Sequence, residues 1–306
     1  MEATVEAGGP LDPDSSLARF RLWGEDPANR LAAGVFRRAV EVEGRWHGYE
    51  VRWDGAGQGV HLTVSVPGAG HARAIEAAVR QVRHIFGLDL DMCGFYRAVA
   101  ADSALGGLAA RMRGLRPTLT PLPFEMLVGS VCAQQVNLTF AFTVRRRLVE
   151  RFGTPVGVAG LTVYGFPAPS AVAGAEVAEL RAMQFTTRKA EYIIGLAEQV
   201  ASGRLDLDAM RDRSNHDVIA ALTGVRGFGR WSAEWFLARG LGRGDVCPAG
   251  DLGVRKAFAH FYNRGRPLSE MAIRRRAAKW GAHQNVAVHY LLSGARLEAT
   301  GTGGGT

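Results

Sequence analysis

The chain has little cysteine, hardly any lysine and no long apolar run. Its 306 residues carry three cysteines, Cys93, Cys132 and Cys247, so widely spaced that they offer neither a disulfide framework nor metal-ligand spacing. Each reads as a small buried hydrophobe in a protein of a reducing compartment. No apolar stretch approaches the length that spans a bilayer, so no membrane partner is expected. Residues 1–16 are acidic and rich in Pro and Gly where a signal peptide would be basic and then apolar, and the expectation is an intracellular, cytoplasmic protein. The only lysines are Lys189, Lys256 and Lys279, which leaves nearly all the positive charge to arginine.

That charge is substantial. Lys and Arg number 37 against 29 Asp and Glu, a formal +8 with a pI near 9.9. Arginine suits bidentate phosphate contacts, so a polyanionic partner is one reading and an arginine-loaded surface the other. A hydrophobic content of 47% over this length allows two domains with substantial cores.

Periodicity divides the chain. Residues 1–16 read as a disordered leader. From Leu17 to Val66 the period is near two, as in Phe36–Val42, Tyr49–Trp53 and Val60–Val66, with a turn at Asp54-Gly55, and this predicts antiparallel strands. A helix follows over Ala72 to Phe86, with Ile75, Val79 and Val82 on one face. Pro117, Pro121 and Pro123 mark a boundary, so residues 17–115 form an N-terminal α+β domain and 116–297 a helical domain, with 298–306 a flexible tail. The fold class is mainly α, with a small antiparallel-sheet domain at the N-terminus.

The most informative stretch runs from Leu222 to Asp251. Val225, Arg226, Gly227, Phe228, Gly229 and Arg230 place two glycines one residue apart between helical segments, a turn that leaves outward-pointing N–H groups at the next helix start. Such a start is a phosphate site, although many turns of this kind are plain helix connectors. Trp231 and Trp235 then share a helix face, and a Gly-rich loop with Pro248 delivers Asp251 to an N-cap position. Upstream, Gln134 and Gln135 interrupt an apolar run and call for hydrogen-bond partners, unless both are solvated or support a cap. Asp89 and Asp91 read as caps rather than a catalytic pair, Lys189 as a phosphate contact or surface residue, and the run Arg274-Arg275-Arg276 as a solvated helix face or a DNA contact.

The stretch 222–251 resembles the helix-hairpin-helix, Gly/Pro-rich loop and aspartate signature of the HhH-GPD DNA glycosylase superfamily, and within it the bacterial 3-methyladenine DNA glycosylase II type. The segment Arg83 to Asp91, an R-x-x-F-x-L-D-x-D pattern, and Met183 to Tyr192 resemble further parts of that type. The resemblance implies the helix-hairpin-helix glycosylase fold and a base excision repair enzyme. Such an enzyme flips a damaged purine of the 3-methyladenine or 7-methylguanine type out of double-stranded DNA, hydrolyses its N-glycosidic bond and leaves an abasic site. It also implies a monomer acting at the nucleoid.

Asp251 is then the catalytic carboxylate, next to the charge that develops on the sugar. Trp231, Trp235, Phe124 and Leu252 would line the base pocket, with Gln134 supporting it, and an indole face attracts a cationic alkylated base. Gln135 would fill the gap in the duplex, and Val225 to Arg230 would grip phosphate, with K+ or Na+ bridging at carbonyls near Val225. The lyase-competent branches carry a lysine where Trp231 stands, so water is the expected nucleophile. Three cysteines exclude a four-cysteine iron–sulfur cluster, and no other cofactor is implied. One departure concerns the segment after Trp280, which reads Gly281-Ala282-His283-Gln284-Asn285 in place of the family's R-P-x-R or K-P-x-R pattern. Two rival readings are a glycosylase of the same fold for an oxidised or deaminated base, and a catalytically silent binder of distorted duplex.

Overall fold

The structure, a computed structural model, describes residues 1–68 and 72–301. In β1 (Glu2–Glu6), Ala3 and Val5 turn inward while Glu2, Thr4 and Glu6 face water, the period-two pattern of a half-buried strand. Asp12 caps α1 (Pro13–Leu17) by accepting from the Ser15 amide at 3.0 Å, and Pro13 holds the first turn, where a missing N–H loses nothing. A single turn, α2 (Arg19–Leu22), leads to β2 (Arg30–Ala32), β3 (Val35–Val42), β4 (Arg45–Trp53) and β5 (His61–Ser65). The five strands form one antiparallel sheet in the order β1-β5-β4-β3-β2. Between β3 and β4, Glu43 and Gly44 take φ of 51° and 74°, the two-residue turn whose twist matches the strands. On this sheet α3 (Ala72–Ile85) lays Ile75, Ala78, Val82 and Ile85, closing a core with Phe36, Tyr49, Leu62 and Val64.

Residues 1–16 are therefore no disordered leader. β1 pairs with β5 from Glu2↔Ser65 to Glu6↔His61, and Leu11 and Leu17 are fully buried. Composition concealed the pattern there, because the acidic residues that make the segment look solvated are the outward half of a strand.

The helical part begins with α4 (Met92–Val99) and α5 (Leu105–Arg111), then α6 (Pro123–Ala133) and α7 (Leu138–Phe152). Pro123 starts α6, and the Asn137 side chain caps α7 by accepting from the Phe140 amide at 2.8 Å. A hairpin of β6 (Thr154–Val158) and β7 (Leu161–Gly165) follows, packing Val158 and Val163 onto Ala39 of β3, so that β3 is covered on both faces. Next come α8 (Pro169–Ala173), α9 (Val177–Ala182), α10 (Thr187–Ala201), α11 (Asn215–Thr223) and α12 (Arg230–Trp235). A π-helical turn at Phe236–Gly240 extends α12, and α13 (Leu252–Tyr262), α14 (Glu270–Ala277) and α15 (Gln284–Gly301) complete the chain. The tail expected to be flexible from 298 is helical through Gly301, and 302–306 lie outside the described residues. No helix among the described residues is long and apolar enough to cross a membrane.

Packing divides the chain differently from the expected boundary at 115/116. One helical core joins α6 to α12, with Leu127, Leu148, Ile193, Leu222 and Phe236. The other joins α4 and α5 to α13, α14 and α15, with Phe95, Leu105, Phe258, Ile273 and Tyr290. Residues 92–115 thus belong with the C-terminal helices and not with the sheet, a non-local pairing that no local pattern announces. Trp235 packs against both helical cores.

A buried ion network joins the sheet to the first of these cores. Arg38 of β3 donates to Glu125 of α6, Arg145 of α7 donates to the same Glu125 at 2.7 Å, and Arg145 also reaches Asp26 at 3.1 Å. All four side chains are buried. Removing one member of such a network leaves an unpaired buried charge, at a cost of about 3–5 kcal/mol.

Candidate active site

The hairpin between α11 and α12 is held by two inward anchors and one close contact. Val225 and Phe228 are buried, the Phe228 amide donates to the Val225 carbonyl at 3.1 Å, and Arg226, Gly229 and Arg230 face outward. Gly227 has φ 94°, and a Cβ there would lie 2.2 Å from the Tyr192 ring of α10, so no other residue fits without displacing that ring. Gly229 caps α12 without a side chain, and a Cβ added to it meets nothing within 4 Å. The two outward arginines are each paired to a carboxylate, Arg226 with Glu191 at 2.7 Å and Arg230 with Glu234 at 2.8 Å.

Opposite the hairpin, Asp251 caps α13, its Oδ1 accepting from the Val254 amide at 3.0 Å. Its other oxygen, Oδ2, accepts from two indoles, Trp231 Nε1 at 2.8 Å and Trp235 Nε1 at 3.2 Å. The i, i+4 spacing on α12 brings both N–H groups to one point. Three donors fix the orientation of one carboxylate. The aspartate, the two tryptophans and the hairpin thus form one constellation.

Sequence reasoning missed what stands behind Trp235. The guanidinium of Arg239, in the π-helical turn, lies 5.3 Å from the centre of the Trp235 ring. Arg239 donates to Asn285 Oδ1 at 2.5 Å and approaches His289 Nδ1 at 3.4 Å, both on α15. It is buried, and no carboxylate pairs with it among the described residues. Burial, and then the charge of Arg19, push its guanidinium below the ordinary value, while burial, Arg239, Arg296 and Arg19 keep His289 well below its own. The signal available in the sequence was an arginine inside the otherwise apolar run that follows Trp235.

Other expected residues fall elsewhere. Phe124 is buried in the core, edge-on to Phe166 at 6.2 Å. Leu252, beside Asp251, is 65% exposed. Gln134 spans to the hairpin, its Nε2 donating to the Gly227 carbonyl at 2.9 Å. Gln135 is exposed with φ 55°, turning the corner between α6 and α7.

Lys189 is neither a surface residue nor free for phosphate. Its buried ammonium donates to the Cys132 carbonyl at 3.0 Å, satisfying the end of α6. Arg274 pairs with Glu234 at 2.7 Å and Arg276 lies 3.6 Å from the centre of the Tyr262 ring, which leaves Arg275 as the exposed member of the run. Asp91 caps α4 and Asp89 pairs with Arg83. Cys132 and Cys247 are buried, but Cys93 is exposed. Two clefts, of ≈ 330 and ≈ 250 Å³, lie away from Asp251, one lined by Asp102, Arg276 and Trp280 and the other by Arg230, Glu234 and Cys247. Among the described residues no group of three His, Cys, Asp or Glu side chains is placed to hold a metal ion. Hairpin carbonyls are a different donor set, and the Val225 and Gly227 carbonyls already accept one hydrogen bond each.

Over residues 128–283 the chain matches the family model described as HhH-GPD superfamily base excision DNA repair protein. It is 32% identical over 216 residues to the DNA-3-methyladenine glycosylase of Bacillus subtilis (strain 168), covering 71% of each chain. The solved 3-methyladenine DNA-glycosylase from Archaeoglobus fulgidus matches with a TM-score of 0.85 at 28% identity, over 96% of this chain and 98% of that one. MBOgg1, solved in complex with a low affinity DNA ligand, shares the fold at 20% identity, with a TM-score of 0.79 over 97% of this chain and 96% of that one.

Proposed function

Because the chain belongs to the HhH-GPD superfamily of base excision DNA repair proteins, we propose that it is a DNA glycosylase of alkylation repair with Asp251 as its catalytic carboxylate. The relatives named as 3-methyladenine DNA glycosylases support an alkylated base as substrate. One observation carries the assignment of the residue: Asp251 Oδ2 is held by two indole N–H groups of the helix that follows the hairpin.

In this reading the hairpin from Val225 to Arg230 grips the backbone of damaged duplex DNA, with K+ or Na+ at its carbonyls, and Gln135 enters the stack where the base has left. The Trp231 indole and exposed Leu252 flank the base. The C1′–N bond breaks with its electron pair leaving on the base, Asp251 stabilises the sugar cation, and water adds to C1′ while giving its proton to the carboxylate. Trp231 stands where an amine nucleophile would be needed for strand cleavage, so the reaction ends at an abasic site. The protein acts as a cytoplasmic monomer at the nucleoid, without iron–sulfur or other redox cofactor.

A second reading has support from Arg239. A guanidinium already occupies one side of Trp235, so cation attraction by that indole is partly spent within the protein, and an uncharged deaminated or oxidised base meets less competition there. Single-turnover base release by mass spectrometry decides between them. Release of 3-methyladenine or 7-methylguanine by the parent, lost in Asp251→Asn with DNA binding retained, supports the first. Release only from deaminated or oxidised DNA supports the second, and binding without any release leaves a silent binder.

A further inference from the structure

Arg239 is a buried cation with no carboxylate partner among the described residues, whereas buried Arg38 and Arg145 pair with Glu125 and buried Arg116 is held by the Pro10 and Gly87 carbonyls. An unpaired buried guanidinium is expensive, and its retention calls for a role. Its surroundings are tightly fixed. Asn285, which accepts from Arg239, is itself anchored by donating through Nδ2 to the Ala238 carbonyl at 2.6 Å and through its amide to the Gly244 carbonyl at 2.9 Å. The Arg239 carbonyl accepts from the Thr120 amide at 2.7 Å, tying the π-helical turn to the linker before α6. That turn closes through the Leu241 amide on the Phe236 carbonyl at 2.9 Å, an i to i+5 bond, and single π turns concentrate at functional sites.

We propose that Arg239 is a positioning residue for the glycosidic reaction, pressing the Trp235 indole into the orientation in which Nε1 grips Asp251 Oδ2. The proposal rests on the reading of Asp251 given above. The chain of contact runs from Asn285 to the guanidinium, from the guanidinium to the indole face, and from the indole N–H to the carboxylate. It divides the labour between the tryptophans. Trp235 is braced by Arg239 and by both helical cores, so it is the fixed holder of the carboxylate. No cation or ring stacks on Trp231 among the described residues, so its face is the one left for a base.

A double-mutant cycle tests this, using single-turnover release of 3-methyladenine from methylated duplex by the parent, Arg239→Met, Trp235→Phe and the double variant. Arg239→Met is expected to slow release roughly tenfold to a hundredfold with the Kd for duplex within about twofold, and to add little once Trp235→Phe has removed the indole N–H. Losses that multiply, a loss confined to Kd, or a parent-like rate overturns the proposal. Should Arg239→Met not fold, Asn285→Ala, which frees the guanidinium without removing it, takes its place in the cycle. The indole N–H resonances of 15N-tryptophan-labelled protein give a readout independent of activity. The Trp235 signal is expected to move in Asp251→Asn, and in Arg239→Met to shift toward a solvent-exposed position and to respond no further when Asp251→Asn is added. A Trp235 signal indifferent to Arg239→Met overturns the positioning role. The expected shifts in a parent that releases no base overturn the proposed reaction and leave the positioning of Trp235 standing.

Discussion

The indole N–H of Trp231 lies 2.8 Å from Asp251 Oδ2, shorter than the 3.2 Å from Trp235 to the same atom. One oxygen of the carboxylate is therefore committed to tryptophan, while the other serves its own helix by accepting from Val254 at 3.0 Å. A hydrogen bond to a charged group is worth about 1.5–3 kcal/mol, so Trp231→Phe should slow single-turnover release by at least about tenfold. A parent-like rate would show that the Trp231 bond plays no part in the chemistry.

The hairpin glycines should separate folding from binding. Gly227→Ala forces a Cβ to within 2.2 Å of the Tyr192 ring at a φ of 94°, and a loss of about 1–3 kcal/mol is expected by denaturant titration. Gly229→Ala meets no atom within 4 Å and should keep parent stability, yet weaken binding to damaged duplex in a fluorescence anisotropy titration, because its missing side chain leaves room for phosphate. Equal DNA affinity for Gly229→Ala and parent would remove this hairpin from the interface.

Gln135 stands in the left-handed region at φ 55°, where a residue with a Cβ is disfavoured by roughly 1–2 kcal/mol. Gln135→Gly should therefore raise stability by about 1 kcal/mol and at the same time depress base release. If calorimetry shows the gain and the release rate is unchanged, the side chain is not the group that fills the duplex.

Acid stability should carry the mark of Glu125. Burial alone would raise its carboxyl, but the Arg38 and Arg145 guanidinium groups outweigh burial and hold it down to about 2 against an ordinary 4.5. The folded value is the lower one, so this contribution is complete above about pH 4.5 and is lost as the pH falls toward 2. Urea unfolding followed across that window should show the loss in the parent. Glu125→Gln should begin about 3–5 kcal/mol less stable and lack that part of the slope. Parallel curves for the two proteins would contradict the ion network.

What could be read in advance was what local rules write down. The caps at Asp91 and Asp251 follow from a short polar side chain before a helix, and the strands of the sheet from their two-residue alternation. The meeting of Trp231, Trp235 and Asp251 was legible because two of the three share one helix face and the third ends a loop that returns to it. Arg239, Glu125 and Lys189 were not, because their partners lie 46, 87 and 57 residues away and only tertiary packing brings them together. The N-terminal strand was lost to composition, its outward glutamates outweighing the inward Ala3 and Val5.

The end of α6 is bolted at two points, by Lys189 from α10 and by Gln134 to the hairpin at Gly227. The corner that carries Gln135 and the turn that would hold the backbone cannot drift apart independently. In mechanical terms they are the two jaws of a gauge whose opening is set when the protein folds. In the proposed reaction, duplex held between them meets a spacing set by the fold before any base reaches the tryptophans.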